Sequence, residues 1–338
     1  MSKETFEWLN QYTLIGFTSK RGNAWHYREA MQGEEPNHYP DAVPVDDVLR
    51  RLFNFTVDER EMYILTDRGY QAIPGRKAMV TSDNEDVLGV FKAGYRGHQY
   101  QEWLVDYVSY LIDGDLGIGS AGLLRNRGQA WLSIEVPENI TTPEGVEFRP
   151  NLVAMTSFDG TLATNYGRKI TAVVCDNTLE TARGEKGQQF KVKHSKYSEM
   201  RIRDAREALN IVFSMADDFA AEVATLTSWK ISDYDWNKLL DVEVPILNEK
   251  GEKLEGRGLT TATNKREQLT ILYKQDRRAA PWTGTAYGVL AAFNTWNHHY
   301  ASVRGGVPRG MRNMENMVNG KFGKEDASVL TSLSIVTA

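Results

Sequence analysis

Phe148-Arg149-Pro150-Asn151-Leu152-Val153-Ala154-Met155-Thr156-Ser157, then Phe158-Asp159-Gly160, then Thr161 through Cys175 form the stretch that decides the fold. The first run is rich in strand formers. Asp159-Gly160 is the strongest two-residue hairpin signal a sequence offers. Thr161–Cys175 supplies the return strand, broken into two pieces at Gly167. Just upstream, Gln129–Val136 alternates apolar and polar, as a half-buried strand does. Together these segments predict an antiparallel meander.

The meander leads into helical sequence. Asn177-Thr178-Leu179-Glu180 carries an N-cap with an acid at the third helical position, which predicts a short helix over 178–183, ended by Gly184 and Gly187. Phe190, Val192 and His194 then alternate with Lys191 and Lys193, the pattern of a strand with one basic face. From 199 to 229 an apolar stripe (Leu209, Val212, Phe213, Ala216, Phe219, Val223, Leu226) recurs at three and four, predicting one long helix that packs on the sheet. Helical pattern returns at 233–241, 264–275 and 283–301, and 246–262 reads as an exposed loop.

Nearer the N-terminus the sequence is irregular. Asp46–Phe53 predicts a short helix, Tyr70–Val80 a strand, turn and strand around Pro74-Gly75, and Leu88–Phe91 another strand. Trp103, Leu104, Tyr107, Val108 and Leu111 give 98–112 helical spacing. The fold class is therefore α+β: an antiparallel meander packed against a long helix, with a helical C-terminal part. The expected domains are a mixed α/β region over 1–100, the meander and long helix over 101–245, and a helical region over 246–338.

With 338 residues, 41% apolar and 25% charged, the chain has ample length for a buried core. Its 8 Trp, 15 Tyr and 12 Phe exclude a disordered chain. A single Cys rules out an intramolecular disulfide framework and fits a reducing cytosol. No apolar run approaches the roughly 18 residues of a membrane span, and the first residues lack the apolar core of a signal peptide. The expected location is the cytoplasm.

The net charge of −5 averages over segregated blocks: −9 over 1–159, +5 over 160–206, −7 over 207–256, +8 over 257–324 and −2 beyond. Two basic blocks could form one groove for a polyanion, or could neutralise the acidic blocks.

Motifs for catalysis are sparse. Gly117-Ile118-Gly119-Ser120-Ala121-Gly122 spells the dinucleotide fingerprint, but that motif needs a strand before it and a helix after it. Here a helix precedes and strand pattern follows, so a loop entering the meander is the plainer reading. Cys175 closes an apolar strand and reads as packing. His298 and His299 are neighbours pointing about 100° apart, unsuited to chelating one ion. Asp217-Asp218 reads as a solvated helix face, and Asp106, Asp113 and Asp115 are weak candidates for magnesium.

The remaining signal is basic and flanked by aromatics. Tyr166, Arg168, Lys169, Arg183, Lys186, Lys191, Lys193, Lys196, Tyr197, Arg201, Arg203 and Arg206 lie on or beside the hairpin, the basic strand and the start of the long helix. Cations for phosphates with rings for bases are what single-stranded nucleic acid requires.

Several blocks carry a family resemblance: Trp25-His26, Ile73-Pro74-Gly75-Arg76-Lys77, Gly94-Tyr95, Ser120-Ala121-Gly122, Phe158-Asp159-Gly160-Thr161, Val173-Val174-Cys175-Asp176-Asn177-Thr178-Leu179 and Lys193-His194-Ser195. Gly284-Thr285-Ala286-Tyr287-Gly288, Asn294 and His299 extend it. Over roughly 20–325 the chain resembles the phage/plasmid-like proteins of the DUF932 family. It departs at Thr81, where relatives often carry arginine, and at Asn294 and Asn297, where they often carry acids. The resemblance implies a bacterial mobile element as the setting. The order of meander, short helix, basic strand and long helix is similar to the core of Rad52/RecT-like annealing proteins, a likeness of fold that does not fix function.

The expected function is a non-catalytic, oligomeric protein that binds and anneals single-stranded DNA in phage or plasmid replication or recombination, needing no cofactor. Arg168, Lys169, Lys191 and Lys193 would contact phosphates, and Tyr166 or Tyr197 would stack bases. Two alternatives stand beside it. One is a nucleotide- or metal-dependent enzyme built around Asp113, Asp115 and 117–122. The other is an accessory factor binding a host protein through an apolar patch at Tyr287, Phe293 and Trp296.

Overall fold

The computed structural model describes residues 6–24, 26–108, 116–135, 139–172, 177–179, 189–192, 194, 215–248, 250–303, 309, 312–313, 316 and 321–338. In chain order these form α1 (Phe6–Gln11), β1 (Thr13–Ile15), α2 (Val45–Arg51), β2 (Val57–Thr66), β3 (Gly69–Thr81), β4 (Val87–Lys92), β5 (Gly117–Leu124), β6 (Gln129–Glu135), β7 (Ile140–Thr141), β8 (Glu147–Ser157), β9 (Thr164–Ala172), β10 (Asn177–Leu179) and β11 (Gln189–Val192). The helices α3 (Met215–Ser228), α4 (Asp233–Glu243), α5 (Gly256–Gln275), α6 (Ala286–His299) and α7 (Lys321–Val336) follow. The class is α+β with antiparallel sheets and a helical C-terminal part. Contacts divide the chain into two units: Met1–Glu138 with Pro150–Arg168 and Lys186–Phe213, and Asn139–Arg149 with Lys169–Glu185 and Ser214–Ala338.

In the first unit the expected meander is present, in the order β1-β5-β6-β8-β9 with β11 paired to β9. All seven residues of β6 are buried. Polar groups on a strand covered on both faces need partners. Gln129 Nε2 donates to Thr161 Oγ1 at 2.6 Å, Ser133 Oγ donates to Glu135 Oε1 at 3.0 Å, and Glu135 pairs with Arg21. Trp131, Ile118, Leu132 and Leu123 fill the interior, each stabilising by about 1.5–3 kcal/mol relative to exposure.

The Gly117–Gly122 segment corrects the loop expectation, because it is strand β5, paired from Gly117↔Glu135 to Leu124↔Gln129. Its glycines make room for the neighbouring strand. A Cβ on Gly122 would overlap the Trp131 ring, and one on Gly119 would overlap the Glu135 carboxyl. The motif letters record close packing, not a phosphate loop.

A separate sheet of this unit runs β2-β3-β4. Tyr70–Val80 is one continuous strand, not two. The chain reverses at Asp67-Arg68, between Thr66↔Gly69, and the register shift between Glu61 and Tyr63 absorbs Ile73-Pro74-Gly75-Arg76 as a bulge with Gly75 at φ 72°. Proline and glycine inside a strand mark such bulges as readily as turns. No residue from Glu59 to Lys77 is buried, so this part of the hairpin is a solvated ribbon. Within the expected helix over 98–112, Gln101–Asp106 is π-helical, a wider winding that buries Trp103, Leu104 and Val105 in succession, and 109–112 lie outside the described residues.

In the second unit β7 pairs with the start of β8 and β10 with the end of β9. Asn177-Thr178-Leu179 is thus a strand where the start of a helix over 178–183 was expected, and 180–183 lie outside the described residues. Its pairing to Ile170–Ala172 satisfies the backbone that an N-cap would otherwise serve. Of the long helix, 215–228 is described, and 199–214 lies outside the described residues. The expected loop at 246–262 is a tight turn, bridged Leu247↔Lys253, followed by α5 from Gly256. That first stretch of α5 has no buried residue, so it left no apolar periodicity to read.

Helix α4 starts with a reciprocal capping box. Asp235 N donates to Ser232 Oγ at 3.2 Å, and Ser232 N donates to Asp235 Oδ2 at 3.0 Å. Trp236 of α4 stacks on Tyr273 of α5 at 4.2 Å. Helix α6 is buried nearly throughout, including Tyr287 and Phe293 at 3% exposure each. Tyr287 and Phe293, two residues of the patch expected there for a host-protein partner, are thus not at the surface, while Trp296 is half-buried with the Lys265 ammonium 4.2 Å from its ring centroid. No described helix is long and apolar enough to cross a membrane.

Candidate functional site

Loops of the first unit gather at one end of the meander, and most come from the blocks that carry the family resemblance. The β5–β6 turn runs Arg125-Asn126-Arg127-Gly128, with three successive non-glycine residues at φ 54°, 50° and 70°. Left-handed backbone at such residues is costly and persists where surroundings fix it. Two acids do so: Arg125 Nε bonds Asp159 Oδ2 at 3.0 Å, and Arg127 NH2 bonds Asp83 Oδ2 at 2.9 Å. The Arg127 guanidinium also lies 3.6 Å from the Phe55 ring centroid. Asp159 Oδ1 accepts from Thr161 N at 2.9 Å, shaping the 158–161 turn.

Beside this turn runs a column of stacked rings. Phe91 stacks on Tyr95 at 3.8 Å, Tyr95 on His194 at 5.0 Å, His194 on His98 at 4.0 Å, and His98 on Trp103 at 3.6 Å. The Tyr95 hydroxyl donates to the Ser157 carbonyl at 3.1 Å.

Hydrogen bonds give the column a direction. His194 Nδ1 lies 3.0 Å from the Arg96 carbonyl, which can only accept, so Nδ1 carries the proton. His194 Nε2 therefore accepts from Thr156 Oγ1 at 3.3 Å. Thr156 in turn accepts from Thr164 at 2.6 Å, and Thr164 accepts from His98 Nδ1 at 2.6 Å. His98 Nε2 is left as a buried acceptor without a partner.

Burial and then the nearby His194 lower the His98 pKa to about 2. Burial lowers that of His194 to about 4, against hydrogen bonds to the Arg96 and Leu162 backbone. Burial raises the Tyr95 pKa, and Asp159 raises it further. The column is thus neutral at pH 7. It is a rigid support for the 158–161 turn rather than a set of charged groups.

The sequence singled out none of His98, Thr156 and Thr164, because residues 66 positions apart share no spacing signal. The one available sign was that His194 and Tyr95 both fall inside resemblance blocks.

The sequence-derived nucleic-acid residues are distributed as follows. Tyr166 is 4% exposed and its hydroxyl donates to the Trp103 carbonyl at 2.6 Å. It is a packing residue with no face for a base, which corrects its expected role. Lys191 sits on β11 opposite Asn165, at the register alternate to buried Thr164 and Tyr166. Arg168 and Lys169 lie on β9. Arg183, Lys186, Lys193, Lys196, Tyr197, Arg201, Arg203 and Arg206 lie outside the described residues, as do Cys175, Asp113 and Asp115.

In the second unit, buried His298 stacks on Phe322 at 3.8 Å, and burial lowers its pKa to about 3. Asn294 Nδ2 donates to both oxygens of buried Asp326 at 3.1 Å. Among the described residues no group of three or more His, Cys, Asp or Glu could hold a metal ion.

Residues 87–318, more than half of the chain, match the family model described as "Domain of unknown function (DUF932)". No curated protein matches the chain. No solved structure matches it either.

Proposed function

The chain belongs to the DUF932 family, and from that premise we propose that it is a non-catalytic protein that binds and anneals single-stranded DNA, acting as a homo-oligomer in phage or plasmid replication or recombination within the bacterial cytoplasm. The observation that carries the reading is β11. Among the described residues it pairs with β9 only, which puts a strand from the most basic part of the central chain at the edge of the described sheet.

Residues 160–206 carry 10 basic against 5 acidic groups. Neutralising phosphates with such groups releases counterions and supplies most of the affinity for a polyanion. The ring column and its hydrogen-bonded threonines support the reading by holding the adjoining turn rigid, so that a strand would meet a preorganised surface. Annealing presents strands to each other and breaks no bond, so no cofactor enters.

The test is anisotropy of a labelled oligonucleotide titrated with the full chain. Lys191→Glu combined with Lys193→Glu should weaken binding at least tenfold at low salt. Unchanged affinity contradicts the assignment of this strand.

A further inference from the structure

Strands β3 and β4 set Arg76 directly opposite Lys92. Both are exposed, and among the described residues no hydrogen bond or ion pair reaches either side chain. Like charges directly opposite on an antiparallel pair destabilise it. Carboxylates of the facing strand β2, and Asp83 beyond β3, have other partners. Asp58 holds Arg60 at 3.1 Å, Glu59 holds Lys77 at 2.6 Å, Glu61 accepts from the Tyr63 hydroxyl at 2.7 Å, and Asp83 holds Arg127. None of these carboxylates forms an ion pair with Arg76 or Lys92.

Bare backbone flanks it. Nothing lies within 4 Å of where a Cβ would stand on Gly75 or Gly94. Gly75 needs glycine for its φ of 72°, but Gly94 has neither a positive φ nor a crowding neighbour. Glycine there leaves the main chain open to close approach. Ala93 N donates to the Gly75 carbonyl at 3.0 Å and Tyr95 N to the Lys92 carbonyl at 3.0 Å, so both glycines adjoin the pair. Six residues earlier on β3, across the bulge, Tyr70 is 78% exposed.

We infer that Arg76 and Lys92, with Gly75 and Gly94 beside them, form a phosphodiester contact for single-stranded nucleic acid, and that Tyr70 offers its ring to an unpaired base. Two adjacent cations over bare backbone suit a phosphate, and an exposed ring suits a base that is not already stacked in a duplex. The site lies outside the basic stretch 160–206. It rests on the nucleic-acid reading above, as a second contact for the same ligand.

The experiment measures oligo-dT affinity of the full chain against salt, for wild type, Arg76→Ser with Lys92→Ser, and Tyr70→Ala. The double variant should bind at least tenfold more weakly at low salt, and its log–log salt slope should be shallower by about 0.7, for the one phosphate that the pair contacts. Tyr70→Ala should weaken binding with the slope unchanged. The melting temperature of the double variant should stay level or rise, since repulsion is removed. Wild-type affinity and slope in the double variant overturn this inference and leave the β11 reading standing. Failure of the wild type to bind at low salt overturns both. A lowered melting temperature overturns it too, because the pair then serves the fold.

Discussion

The imidazoles of His98 and His194 stack 4.0 Å apart and 21° from parallel, and the same two rings are joined through Thr164 and Thr156 by hydrogen bonds. Each histidine is held neutral chiefly by burial, and His194 lowers the His98 pKa further. Protonating His194 Nε2 would remove the acceptor for Thr156 and set a charge against the second ring.

Stability should therefore fall in mild acid. The folded-state pKa of His98 is depressed to about 2 against an ordinary 6.5, so the unfolded chain binds more protons in the window between. The contribution is fully present above pH 6.5 and is lost as pH falls toward the folded value. At pH 5 His98 should cost about 2 kcal/mol relative to pH 7. Urea unfolding of wild type and His98→Asn at the two pH values checks this. The variant should be less stable at pH 7 but lose about 2 kcal/mol less on acidification.

Gly122 and Trp131 should behave as one unit. Gly122→Ala sets a methyl against the Trp131 ring, and overpacking of this kind costs about 1–3 kcal/mol. In a Trp131→Leu background the same substitution should cost under about 1 kcal/mol, because the obstruction is gone. Equal costs in both backgrounds would show that the strand accommodates the methyl by moving.

Asp159 ties two turns together through Thr161 N and Arg125 Nε. Asp159→Ala should destabilise by about 1–2 kcal/mol. In an Arg125→Ala background the loss should be smaller. Simple additivity in denaturant unfolding would mean that the 3.0 Å ion pair contributes nothing.

Ser232→Ala removes the acceptor for Asp235 N and dismantles the capping box of α4. A loss of about 1 kcal/mol is expected. Ser232→Asp should restore most of it, and thermal unfolding distinguishes the two.

The sequence disclosed what is local. Asp159-Gly160 marked the reversal between β8 and β9, and the alternation of 129–136 marked β6, because a two-residue turn and a period of two are written into neighbouring positions. The helical spacing over 233–241 marked α4 (Asp233–Glu243) for the same reason. What stayed hidden depends on residues far apart in the chain. Gly119 and Gly122 resemble a phosphate loop until Glu135 and Trp131 are seen to lie over them. Pro74-Gly75 resembles a turn until the partner strand shows a bulge. Tyr166 resembles an exposed platform until the Trp103 carbonyl is found on its hydroxyl. His98, Thr156, Thr164 and His194 meet only because β8, β9 and two positions outside the strands converge. No spacing along the chain encodes that meeting.

The central claim is single-strand binding, and the salt dependence of affinity tests it most directly. The full chain should bind a labelled oligo-dT tightly at low ionic strength, more tightly than a duplex of equal length. The log of its affinity should fall linearly with log salt at roughly 0.7 per phosphate neutralised. Absence of binding at low salt, or an affinity that does not change with salt, would contradict the account.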